Sequence, residues 1–287
     1  MKKLYVLLAL VLLVAGCKKK EALVPVRVYV DDFTITQDGF PTRENPVGIG
    51  DYNGVKAITL AFYTAEGDEK YKATQLRADA STYTTFGSFN LALPMGSYTM
   101  VVLGYGLNDG EPAITLTSPT EASFGSYPAR ETFAATQAVN ITNTEAVEFS
   151  ATLSRVISKL RIHSTDGCTE NAVNVRTTFS AGGKSFNPTT GLATSDSGFS
   201  NVLPIQSSLG NSTNSISYIF LASDEQTMTI TIEVLDANNQ SISQKVVTNV
   251  PLKRNRMTVL SGSIYSANGS SDFQVDEDWL PDEDIFF

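Results

Sequence analysis

Few side chains in this sequence could carry out chemistry, and their spacing decides whether any of them do. There is one histidine, His163, inside the strand-like "KLRIHS". A Ser–His–Asp or Cys–His relay would have to run through it, because such sets take their base from an imidazole. No G-x-S-x-G turn offers a nucleophile, and no Walker or Rossmann glycine pattern offers a phosphate cradle. Zinc sites need clustered His and Cys, whereas the two cysteines, Cys17 and Cys168, stand far apart. The C-terminal "SDFQVDEDWLPDEDIFF" gathers carboxylates from Asp272 to Asp284 with no base among them. It lacks the D-x-D-x-D-G spacing that wraps a calcium ion, so it reads as a solvated acidic tail. A glycosidase pair cannot be picked out of 30 acidic residues by sequence. His163 reads as a strand-surface residue, and the chain as a non-enzyme with neither metal nor cofactor.

One thiol does stand in a chemical context. Lys2 and Lys3 precede an apolar run from Leu4 to Val14, about half of the roughly 20 residues that a membrane-spanning helix needs. Ala15 and Gly16 follow, completing the layout of an export signal. Val14-Ala15-Gly16-Cys17 matches the lipobox, in which the cysteine thiol receives a diacylglyceryl group and becomes the mature N-terminus. Residues 1–16 then read as a signal peptide and residues 17–24 as a lipidated tether. A simple secretory signal with a chance cysteine is the alternative. Several acyl chains together hold a protein firmly to a bilayer, where one holds only marginally.

The chain has 287 residues, enough for one large or two medium domains. Its 21 basic residues, less Lys2 and Lys3 once the signal is removed, face 30 acidic ones. Nucleic acid is excluded as a partner, since phosphate binding needs clustered Lys and Arg. With Cys17 acylated, Cys168 has no partner for a disulfide. Its setting, "STDGCTEN", is turn-like, and it reads as an unpaired surface thiol.

Whatever these residues do, strands must position them. In "KAITLAFYT", Ile58, Leu60 and Phe62 share one face; in "TMTITIEVLD", Met228, Ile230, Ile232 and Val234 alternate with polar residues. In "GSFNLALPMGSYTMVV", Phe89, Leu91 and Leu93 lead into a Pro-Met-Gly-Ser turn, after which Tyr98, Met100 and Val102 alternate. Short alternating runs between Gly, Pro, Asn, Asp and Ser predict an antiparallel β-sandwich architecture. "LSRVISKLRI" fits both a helix and a bulged strand; its β-rich surroundings favour the strand. Two halves are expected, 25–146 and 147–287, on length and pattern rather than on any repeat.

Several segments together resemble the fimbrillin-type fimbrial subunits and anchors (the FimB/Mfa-type group) of Bacteroidales envelopes. They are the lipobox with its short tether, "FGSFNLALPMGSYTMVVLGYG" as an N-terminal hairpin, "LSRVISKLRI", "VPLKRNRMTVLSGSIY" and the terminal "FQVDEDW". The resemblance implies two transthyretin-like β-sandwich domains in tandem and a structural role in a type V pilus. It also implies assembly with other fimbrial subunits by exchange of the first strand. Here that strand is "PVRVYVDDFTIT", where Val26, Val28 and Val30 alternate and Asp31-Asp32 shifts the parity to Phe33 and Ile35. Arg43, in the loop after it, stands where arginine-directed processing would fall, or is an ordinary loop arginine. In "KRNR", Asn255 is expected at a turn position with unusual backbone angles and the charges in solvent.

The expected function is an outer-membrane lipoprotein, held through lipid on Cys17 and acting as anchor or subunit of fimbriae. The alternative is a surface glycan-binding lipoprotein of a polysaccharide-uptake system. Sugar platforms use exposed aromatic faces, and the chain offers 11 tyrosines but a single tryptophan, Trp279.

Overall fold

Strands with one apolar face must close in pairs of layers. The computed structural model describes residues 22–34, 47–49, 52–266 and 273–276, and apart from a single 3-10 turn at Ala80–Thr82 its elements are strands. The fold is all-β, as the alternation requires.

The first ten strands are β1 (Leu23–Thr34), β2 (Val47–Gly48), β3 (Ala57–Tyr63), β4 (Glu69–Leu76), β5 (Ser88–Pro94), β6 (Gly96–Tyr105), β7 (Thr115–Ser118), β8 (Glu121–Ser123), β9 (Thr132–Ile141) and β10 (Val147–Arg155). One hydrogen-bonded path runs β2-β1-β10-β9-β6-β3-β4, with β5 also paired to β1. Val24 on β1 and Leu60 on β3 lie at opposite reaches of this path, yet both belong to one buried cluster. The path therefore doubles over into two facing layers. The hand-over between them is short, Ser154 opposite Ala134 and Arg155 opposite Phe133.

The second set is β11 (Ser158–Ser164), β12 (Asn174–Phe179), β13 (Ser185–Phe186), β14 (Phe199–Pro204), β15 (Asn214–Ile219), β16 (Glu225–Leu235), β17 (Ser241–Lys253), β18 (Met257–Gly262) and β19 (Gln274–Asp276). Sheets β15-β11-β18-β19 and β14-β12-β16-β17 enclose a second core of Leu160, Ile162, Phe179, Ile230, Ile232 and their neighbours. β8 pairs with β7 and with β13, forming a small sheet over the outer face of β3 and β6. There Ala61, Tyr63, Leu103 and Tyr105 meet Leu116, Phe186 and Phe220 in a third cluster. Phe186 and Phe220 stack at 4.2 Å. That is why β3 is buried along both faces, although only Ile58, Leu60 and Phe62 were expected inside.

Four expectations change. The Pro94–Met95 corner does not close a hairpin: β5 pairs with β1, and β6 with β3 and β9, so the turn carries the chain from one layer to the other. The expected division at 146/147 cuts through a sheet, because β10 pairs with β1 and β9 and buries Ala151 and Leu153 in the first core. Local alternation reports which face is apolar and is silent on the partner strand, which accounts for both. Cys168 is 6% exposed and packs in the second core. The start of the acidic tail is not solvated coil: Gln274–Asp276 pairs with β18, and Phe273 packs against the second core. "LSRVISKLRI" is strand, interrupted at Val156–Ile157 between β10 and β11.

Candidate strand-complementation site

β1 begins at Leu23, six residues beyond Cys17, and runs between two neighbours. On one side Val26, Val28 and Val30 lie opposite Val147, Phe149 and Ala151 of β10, in parallel. On the other, Val24, Val26 and Val28 lie opposite Leu93, Leu91 and Phe89 of β5, antiparallel. Val24, Val26, Val28 and Val30 are 0–4% exposed. At roughly 1.5–3 kcal/mol per fully buried side chain, the four valines contribute about 6–12 kcal/mol before ordering costs. The alternate residues face outward, with Arg27 paired to Glu148 at 3.4 Å on the surface.

The parity shift read at Asp31-Asp32 is present in the backbone. The register with β10 slips between Val30 and Asp32, after which Phe33 lies opposite Leu153, and opposite Val47 of β2. The loop entering β5 is shaped around this bulge. The Val30 amide donates to Gly87 O at 2.9 Å. Gly87 has φ +89°, and a Cβ there would meet Ile49 Cδ1 at 3.0 Å and Val30 O at 3.3 Å, so a side chain would be strained by the backbone angle and crowded by both neighbours. Gln75, buried on β4, holds the same loop by accepting from the Gly87 amide and donating to Ser88 O.

Of the residues singled out in the sequence, Val26, Val28 and Val30 are brought together here, and Val24 joins them. Cys17, Ile35, Arg43 and Trp279 lie outside the described residues. His163 lies on β11 with its Nδ1 3.2 Å from Asn214 Oδ1. Among the described residues no group of three or more His, Cys, Asp or Glu could hold a metal ion. In "KRNR", Asn255 has φ +58°, Arg254 pairs with Asp224 at 2.7 Å and Lys253 pairs with Glu225.

A buried polar cluster at the meeting of the two sandwiches has no counterpart in the sequence reading. The Arg155 side chain is 3% exposed and pairs with Glu131 at 2.7 Å. Tyr52 donates to the other oxygen of Glu131 at 2.7 Å, and Arg155 Nη1 donates to Asn255 Oδ1 at 3.2 Å. Burial works against the Arg155 charge, but Glu131 and Tyr52 outweigh it and hold the guanidinium above its ordinary pKa. Burial, and then the Glu131 carboxylate, push the Tyr52 phenol up. The only signal in the sequence was an arginine in an otherwise apolar-alternating strand, which is equally compatible with an exposed one.

Among solved structures, the fimbrial anchor protein Mfa2 from Porphyromonas gingivalis is similar at 13% identity and TM-score 0.49, covering 88% of this chain and 95% of that one. A candidate adhesin from Bacteroides ovatus is similar at 13% identity and TM-score 0.49, over 79% and 82% of the two chains. A candidate polysaccharide-binding protein from Bacteroides thetaiotaomicron reaches 10% identity and TM-score 0.43, over 84% and 92%. Likeness this distant assigns neither an activity nor a partner. No curated protein matches. A family model matches residues 50–285, most of the described structure, and the chain belongs to the Family of unknown function (DUF6562).

Proposed function

We propose that this chain is a lipid-anchored protein of the outer membrane that serves as a structural anchor or subunit of fimbriae, joined to other subunits by β-strand complementation at the β1 position. The observation that carries the reading is the seat of β1. It is the first strand after the tether, and it completes two ladders at once. Without it, β5 and β10 would present facing rows of unpaired backbone groups above apolar pockets lined by Phe89, Leu93, Ala151 and Leu153. A strand from another chain with apolar residues at every second position would satisfy both. Arg43 lies between the end of β1 and the start of β2, so cleavage there would free β1 and leave β2 on the body. In an anchor, Arg43 stays uncut and β1 carries the load from the lipid; in a shaft subunit it is cut and β1 is replaced.

Treatment of the purified, unlipidated chain with an arginine-specific protease tests this. Cutting after Arg43 followed by growth of polymers supports the subunit form, and an uncut monomer supports the anchor form. A chain that is cut after Arg43, loses β1 and neither unfolds, polymerises nor takes up a synthetic peptide of residues 22–34 would overturn complementation.

A further inference from the structure

Where the tether meets the first sandwich, the outward face of its outer layer changes character. Further along the layer that face is polar: Arg27 pairs with Glu148, and Asn90 lies opposite Arg27. At the end next to the tether it is apolar. Leu23 is 63% exposed and Met95 51% exposed. Leu23 lies opposite Pro94, and Pro25 opposite Ala92; Pro25 and Ala92 are exposed and Pro94 half-buried. These five residues form one uninterrupted apolar corner. A soluble surface scatters its exposed apolar side chains singly, so a contiguous group rimmed by polar residues marks a contact.

The position of the corner says what it contacts. Only residues 18–22 separate Cys17 from Leu23, and a chain segment of that length reaches about 20 Å at most. A lipid on Cys17 therefore confines this end of the molecule to the bilayer surface. Lys18, Lys19 and Lys20, in the same short segment, carry charge suited to phosphate headgroups. We infer that the corner formed by Leu23, Pro25, Ala92, Pro94 and Met95 rests in the headgroup region of the membrane and sets the orientation of the first sandwich on it. The inference rests on the lipid-anchor reading of Cys17.

Oxidative footprinting of the lipidated full chain on phosphatidylethanolamine–phosphatidylglycerol vesicles tests it. Of the methionines in the described residues, Met100, Met228 and Met257 are 1–4% exposed, so they serve as internal references for Met95. On vesicles, oxidation of Leu23 and Met95 should fall severalfold relative to the unlipidated protein, while Leu209 and Val246, exposed in the second sandwich, should react unchanged. The mass of the N-terminal peptide separates the two claims. A peptide without acyl groups on Cys17 refutes the anchor reading itself. An acylated Cys17 with Met95 as reactive as in solution overturns the docking corner alone. Protection of Met95 in the unlipidated protein at high concentration, with a doubled mass, would assign the corner to a second copy of the chain and overturn it too.

Discussion

Arg155 at the end of β10 donates to the side chain of Asn255, one hundred residues further along, at 3.2 Å. The donor belongs to the first sandwich, and the acceptor to the turn between β17 and β18 of the second. Asn255 can reach because its backbone sits at φ +58°, a conformation that asparagine tolerates better than most side chains. Its own amide donates to Ile157 O at 3.0 Å in the link between the sandwiches. Together with Glu131 and Tyr52, this pair fixes the two halves of the chain against each other.

Breaking that cluster from one side leaves an uncompensated buried charge, which typically costs about 3–5 kcal/mol. Arg155→Met, which strands Glu131, should lower the unfolding free energy by that order in denaturant titration. Asn255→Gly keeps the backbone conformation and removes the hydrogen bond from Arg155, so a loss of about 1 kcal/mol or more is expected. A loss below that for Arg155→Met would mean that the cluster does not join the halves.

The strand faces were legible and the strand partners were not. Val26, Val28, Val30, Met228, Ile230, Ile232 and Val234 are all buried as their alternation requires, because a period of two is a local property of the backbone. That β5 leaves its sequence neighbour for β1 is not local. A Pro-Met-Gly-Ser corner serves a hairpin and a layer crossing equally well. Arg155 went unrecognised for a related reason: what makes it buried is supplied by Glu131, Tyr52 and Asn255 from three separate segments. Asn255 itself was legible as a residue with special backbone angles, since that demand is set by its own turn.

Cys168 is a core residue in spite of its turn-like setting. It packs with Leu160, Ile162 and Tyr265, and its thiol contacts Thr169 O at 3.6 Å. Cys168→Ser places a stronger polar group at the same point, and a loss of about 1–3 kcal/mol is expected. A melting temperature equal to that of the unaltered chain would show the site to be open to water.

Asp166 ties the chain leaving β18. Burial alone would raise its carboxyl pKa, but the Ser263 hydroxyl and the amides of Ile264, Ser266 and Tyr265 donate to it and hold it below the usual carboxylate range. A depressed folded pKa contributes stability that is present above the unfolded value, near 3.9, and is lost as pH falls through the folded value. Asp166→Asn should therefore cost on the order of 1–2 kcal/mol at neutral pH, allowing for its partial exposure. The gap to the unaltered chain should narrow below about pH 4. A gap independent of pH would contradict the assignment.

The two faces of β1 should respond unequally. Val28→Ala, at a fully buried position, should destabilise by about 2–3 kcal/mol. Arg27→Ala, which removes an exposed ion pair, should change stability by less than about 1 kcal/mol. Equal effects in thermal unfolding would place β1 outside the core.

The most direct test of the fimbrial reading is the N-terminal residue of this chain in fimbriae isolated from cells that produce it. The expected result is that the chain is recovered there with one of two termini: acylated Cys17 if it is an anchor, or Glu44 if β1 has been removed from a subunit. Fimbriae that contain none of the chain, and that form in unchanged number and length when it is deleted, would contradict the account.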